Sequence, residues 1–258
     1  MAKLEWDHTV HYVKQLNTAM KTFLANGLIA FHGGSHKKWG TCNALSYFDL
    51  CYIEFLSIED RNLARSILDP NDVVKDAVKL LPEREIFSRV ALRTDDIEAI
   101  ANRLDAKNIS HSPIMDGKRT DAQGNLIEWY MMTIPGDFHA LPYPFIIQWK
   151  CAEDVRRKQL QDIGAIGKHP IGNIAINQAI FEVENPRDVV EHWHDIFGID
   201  ILNITTDEAK LLIGDKIFLF KKGPTNQLRK LAFKLHGLQL LDHTFKIGEG
   251  RYQISTKK

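Results

Sequence analysis

Phe31–Glu59, FHGGSHKKWGTCNALSYFDLCYIEFLSIE, decides how this chain is read. The stretch opens on the pair Gly33-Gly34, set between His32 and His36. It passes through Trp39-Gly40-Thr41 to Asn43 and ends on an apolar strand, Cys51-Tyr52-Ile53-Glu54-Phe55-Leu56. That strand carries one ionisable carboxylate, Glu54. An unpaired buried charge is strongly unfavourable or becomes protonated, so Glu54 calls for a partner. Upstream, Trp6-Asp7-His8-Thr9-Val10-His11-Tyr12-Val13 reads as a second strand studded with polar groups. Strand alternation places His8 with Val10 and Tyr12, and Glu54 with Tyr52 and Leu56, so both can face one concavity.

Outward from this stretch the same order of elements recurs. A strand over 6–13 leads into a helix over 16–26, with Leu16, Met20, Phe23 and Leu24 at helical spacing and Gly27 as C-cap. Extended pieces over 28–32, 41–47 and 51–58 complete a β-α-β-β-β unit. A polar helical connector covers 59–81, broken at Asp69-Pro70 and closed by Pro82. The second unit has a strand over 86–94 and a helix over 97–107 capped by Thr94-Asp95-Asp96. Its extended pieces fall at 110–116, 127–134 and 144–150, and turn residues make 117–125 a hairpin. After a connector helix at 152–160, a third unit repeats the order: strand 173–184, a helix from Asn185-Pro186 to Gly198, and strands 201–205, 210–213 and 216–220. Two further strands, 228–236 and 243–254, close the chain. The repetition lies in the order of elements.

The expected fold is therefore α+β, built of repeated β-α-β-β-β modules whose curved mixed sheets surround a cleft. Residues 1–155 hold the paired modules, unit 1 at about 4–58 and unit 2 at about 86–151, and 171–258 form a third module. That module has no partner unit beyond the closing strands, and an uncovered sheet face or edge there makes a homodimer an expectation.

Composition narrows the function. The 258 residues are 44% hydrophobic, enough for a substantial core. Lys+Arg and Asp+Glu each number 33, which supplies no electrostatic case for nucleic acid or an anionic membrane. The pairs Lys37-Lys38 and Lys221-Lys222 read as solvated surface. Cys42, Cys51 and Cys151 are odd in number and lack CxxC spacing, as expected of free thiols in a reducing compartment. The opening MAKLEWDHTVHYVKQL has no long apolar core, and no stretch reaches membrane-spanning length. A cytoplasmic protein with a small-molecule partner is expected.

A recurring, pairing β-α-β-β-β unit resembles the vicinal oxygen chelate superfamily of glyoxalase I, extradiol dioxygenases and bleomycin-resistance proteins. Asp7-His8, Gly33-Gly34-Ser35-His36, Trp39-Gly40-Thr41, Asn43 and Tyr52-Ile53-Glu54 resemble its glyoxalase-like family, closely over the first 60 or so residues. The resemblance implies a metal held by residues from the first and last strands of each unit. His8 and Glu54 match those positions in unit 1; Ser88 and Gln148 stand there in unit 2 and are poor and marginal ligands. A four-ligand site shared by the two units is not supported.

Catalysis is thus expected from Glu54 and His8, with His36, Trp39, Asn43, Tyr52 and Gln148 lining the substrate site. As metal ligands, His8 and Glu54 would suit Zn, Mn, Fe or Ni with positions left open for substrate. Without metal the same pair can hydrogen-bond and serve as an acid–base dyad. Lyase, isomerase or dioxygenase chemistry is implied by the resemblance; its alternative is a non-catalytic binder using the same cleft. Tyr12, Trp129 and Trp149 are further candidates for an apolar wall. Cys51 falls on the face opposite Glu54. The pair Gly33-Gly34 reads as a tight turn rather than a phosphate loop, and Glu191-His192-Trp193-His194 as surface.

Overall fold

The computed structural model describes residues 2–120, 124–237 and 241–256. The first unit runs β1 (Glu5–Tyr12), α1 (Leu16–Ala25), β2 (Phe31–His36), β3 (Thr41–Phe48) and β4 (Cys51–Ile58). The connector forms α2 (Arg61–Ser66) and α3 (Asp72–Leu80). The second unit comprises β5 (Phe87–Arg93), α4 (Ile97–Ala106), β6 (Met115–Thr120), β7 (Leu126–Met132), a short β8 (Asp137–Phe138) and β9 (Leu141–Pro142) pair, and β10 (Phe145–Trp149). These units make one eight-stranded sheet, ordered β2-β3-β4-β1-β5-β10-β7-β6 and joined where β1 and β5 pair antiparallel. Its two ends approach each other: Arg119 on β6 donates to the Gly33 carbonyl on β2, so the curved sheet nearly closes.

That closure explains the glycine pair. Gly33 and Gly34 lie inside β2 at a register shift, not in the tight turn expected of them. A methyl on Gly33 would meet the Asn43 amide oxygen and come within 2.8 Å of Leu45. At Gly34, with φ near +135°, it would lie 2.6 Å from the Thr120 carbonyl. The backbone is bare here because strands from opposite ends of the sheet pass close together.

After α5 (Glu153–Asp162), the chain builds β11 (Asn173–Val183), α6 (Pro186–Phe197), β12 (Asp200–Ile204), β13 (Glu208–Ile213), β14 (Lys216–Lys222) and β15 (Gln227–His236). The segment expected as one last strand is a hairpin, β16 (Asp242–Ile247) and β17 (Gly250–Ser255), turned at a Gly248 with positive φ. The second sheet runs β12-β13-β14-β11-β15-β17-β16. Antiparallel β15 pairs along the edge of β11 opposite β14. A second displacement concerns β6, which starts at Met115 rather than near 110. Asp116-Gly117 lies within it, and residues 121–123 of the expected hairpin lie outside the described residues.

Asn185 caps α6 by accepting from the Asp188 amide, Pro186 sits in its first turn, and left-handed Gly198 ends it. The helix buries Val189, Val190, Trp193 and Phe197 in a core shared by both sheets, with α1 and α4. Trp6 meets Phe218 edge-on, and Tyr252 packs on Phe23 and Phe87. His11 enters this core and pairs with the Tyr252 hydroxyl. Burial drives its pKa down to about 3, so it stays neutral. His192 is half-buried rather than on open surface: it stacks on Phe138 and bonds Tyr143.

On the other face of the first sheet, α3 covers the concavity. Val73, Val74 and Ala77 pack with Val10, Tyr12 and Leu56. The Tyr12 hydroxyl donates to the Val73 carbonyl at 2.6 Å, and Thr133 donates to the Pro70 carbonyl at 2.6 Å. What remains beneath α3 is a small space beside Glu54.

Candidate active site

Register brings the polar side chains together. On β4, Glu54 lies between Val10 of parallel β1 and Leu45 of antiparallel β3. His8 and Asn43 stand two residues along those neighbours, on the same concave face, within diagonal reach. His8 Nε2 is 3.5 Å from Glu54 Oε2, and the Asn43 amide donates to Glu54 Oε1 at 2.6 Å. The same amide nitrogen lies 3.5 Å from His36 Nε2, while His36 Nδ1 reaches the Thr41 hydroxyl at 3.0 Å. Glu54 is thus the centre of a buried polar cluster.

Asp7 completes it from an unexpected direction. Simple alternation would send Asp7 to the face opposite His8. Pairing between β1 and β5 shifts register between Trp6 and His8, and this bulge turns the carboxylate toward the imidazole. His8 Nδ1 donates to Asp7 Oδ1 at 2.6 Å. Asp7 Oδ2 accepts from Trp149 Nε1 at 2.9 Å and faces Arg156 at 3.5 Å. The result is a row, Asp7–His8–Glu54, with the imidazole between two carboxylates and stacked on Tyr52 at 4.5 Å.

Charge follows from that row. Burial disfavours the His8 cation, but Asp7 and Glu54 outweigh it and raise the pKa. Burial likewise opposes the Glu54 anion, yet bonds to His8 and Asn43 hold it down, at about 2. Asp7 is lowered against its burial by Arg156 and His8. His36 is lowered by burial, which agrees with a neutral ring accepting from Asn43. The row therefore favours an imidazolium between two carboxylates.

The cavity beside it measures ≈ 50 Å³. One wall is polar: His8, His36, Thr41, Asn43, Glu54 and Arg119. Across from it stand Trp129, Met131, Phe145, Ile147 and Trp149, with Val73 and Val74 of α3 as the roof. Trp39 and Tyr52 line it as expected; Tyr12 does not, its hydroxyl being committed to the connector. Gln148 is not brought into the site: its side-chain oxygen caps α4 by accepting from the Ile97 amide at 2.8 Å. Ser88 is absent from the lining too, and β10 presents Phe145, Ile147 and Trp149 instead. Asp7 and Arg119 were missed as site residues. The Asp7-His8 pair was visible, but its bulge was not, and Arg119 acquires its place only when the sheet closes.

A metal of the kind implied by the fold does not fit these side chains as a closed cage. Two donors converge, His8 Nε2 and Glu54 Oε2. The third candidate, His36, is 4.0 Å from Glu54 and gives its Nε2 lone pair to Asn43. Among the described residues no three His, Cys, Asp or Glu side chains form a metal-holding group, and unit 2 brings to the cavity apolar groups and the cationic Arg119, none of them a metal ligand. Nor is any described helix long and apolar enough to cross a membrane.

Two curved β-α-β-β-β modules paired through their first strands, with a buried His–Glu pair on the concave face, define a vicinal oxygen chelate protein. A family model described as a glyoxalase-like domain matches residues 6–197, and the chain belongs to that family. A hypothetical protein from Staphylococcus aureus has the same fold over nearly its whole length: TM-score 0.85, 24% identity, covering 98% of this chain and 99% of that one. The Mn(II)-bound glyoxalase from Novosphingobium aromaticivorans is similar in fold at TM-score 0.57 and 11% identity, covering 99% of this chain and 83% of its own. No match is found among curated proteins.

Proposed function

We propose that this protein is a small-molecule enzyme that moves protons at the Asp7–His8–Glu54 row, as a lyase or isomerase. The observation that carries this reading is Glu54 itself: a carboxylate only 8% exposed, in a cavity wall, held by His8 and Asn43 and opposite an apolar surface. Such a carboxylate is costly as mere structure, whereas a charged, oriented pair in a largely buried cavity suits proton transfer. In this scheme His8, backed by Asp7, donates to a substrate oxygen. Glu54, released from His8 by that transfer, accepts a proton from the adjacent carbon. Asn43 fixes the carboxylate, and the apolar wall excludes water.

The same cavity supports a second reading, a binder without chemistry, because aromatic side chains form much of its wall. One experiment separates the two. Dicarbonyl and thioester compounds are incubated with the protein in D₂O, and loss of carbon-bound protons is followed by NMR. The enzyme reading predicts exchange that Glu54→Gln and His8→Gln abolish while folding persists. Ligand binding that survives Glu54→Gln but fails in Trp39→Ala, with no exchange in the wild type, would replace it by the binder. Elemental analysis beside the same variants tests the metal: stoichiometric metal lost in both would make His8 and Glu54 its ligands.

A further inference from the structure

A cavity of ≈ 50 Å³ holds a few waters, whereas small-molecule sites run to about 300–1,000 Å³. The missing room is next door. A second cavity, ≈ 550 Å³, shares Arg119 and Trp149 with the first and is walled beyond them by Tyr47, Ile127, Arg156 and Leu160. Aromatic stacking continues across: His8 on Tyr52, and Tyr52 on Tyr47 at 4.7 Å.

Arg156 pairs with Asp7 but leaves one end of its guanidinium unused. It is 5% exposed and lies 3.8 Å over the Trp149 ring, with Nη1 reaching Asp7 only at 3.5 Å. Its Nη2 is buried with no hydrogen-bond partner. A guanidinium N–H left so is unfavourable and suits an incoming oxyanion, which the planar fork can grip. Arg119, 8% exposed, brings a second guanidinium to the shared wall. Of the other charged groups lining this cavity, Asp162 lies 3.2 Å from Lys158, and Glu128 lies 3.6 Å from Lys150, which Asp116 also holds at 2.8 Å.

We propose that the substrate is a small organic anion, its carboxylate or phosphate held by Arg156 and Arg119 in the larger cavity and its reacting end passing Trp149 to Glu54. The second half of this statement rests on the acid–base reading; the anion site stands on its own geometry. Calorimetric titration of the full chain at low salt with benzoate, phenyl phosphate and neutral benzyl alcohol tests it. Both anions should bind, and benzyl alcohol should bind about tenfold more weakly or worse. Arg156→Gln should weaken the anions by about 10- to 100-fold, the range for a hydrogen bond to a charged group. Equal binding of the neutral probe by wild type, no binding of either anion, or anion affinity indifferent to Arg156→Gln would each overturn the proposal. The wild-type comparison decides even if Arg156→Gln fails to fold. Loss of proton exchange as a property, with anion binding intact, would instead count against the acid–base reading alone.

Discussion

At the scale of single residues, Glu54 and His8 make stability depend on pH from both sides. Glu54 has a folded pKa of about 2, below its ordinary value, so its contribution is present above about pH 4.5 and lost as pH falls through 2. His8 is raised, so its contribution is complete below about pH 6.5 and lost as pH rises through the folded value. Urea midpoints should therefore peak between those limits. The lowered Glu54 pKa corresponds to roughly 3 kcal/mol, at about 1.4 kcal/mol per pKa unit, and Glu54→Gln should flatten the profile. Gly33→Ala makes a separate prediction. The added methyl collides with Asn43 and Leu45, costing about 1–3 kcal/mol as overpacking and dislodging the amide from Glu54. Denaturation would show the cost. A Gly33→Ala protein as stable as wild type would mean that β2 gives way without strain.

At the scale of elements, the connector decides access to the cavity. Asn71 caps α3 by accepting from the Val74 amide, and α3 roofs the site. Asn71→Ala should cost about 1 kcal/mol and speed hydrogen exchange over 74–80 while leaving β11 unchanged. Exchange rates unchanged in α3 would separate the cap from the roof. Most elements were legible in the sequence because apolar periodicity and caps are local: α6 is announced by Asn185-Pro186 at one end and Gly198 at the other. Side-chain direction was legible from strand alternation for His8 and Glu54. It failed at bulges and registers, which depend on the neighbouring strand. Asp7 turns into the site through the β1 bulge. Gln148 turns away from it, since a repeat aligned by sequence need not keep its faces.

At the scale of the whole molecule, the two sheets share one core through Trp6, Phe23, Phe218, Phe233 and Tyr252. The helices of three units lie in that core, so unfolding should be cooperative despite the chain's length. Tryptophan fluorescence and far-ultraviolet dichroism should report one coincident urea transition. Tyr252→Ala, emptying a fully buried site, should shift it by about 3–5 kcal/mol without splitting it. Two separated transitions would show that the sheets stand independently. The sequence reads as two blocks because its repeats are consecutive; the shared core arises from helical and strand faces that only the assembled layers bring together.

The claim on which the site depends is that His8 carries a proton between Asp7 and Glu54. An NMR titration of the His8 ring in wild type and Glu54→Gln tests it directly. The account predicts a wild-type midpoint above 6.5, the ordinary histidine value, and a lower one in Glu54→Gln. A midpoint at or below 6.5 in wild type, or one indifferent to Glu54→Gln, would contradict it.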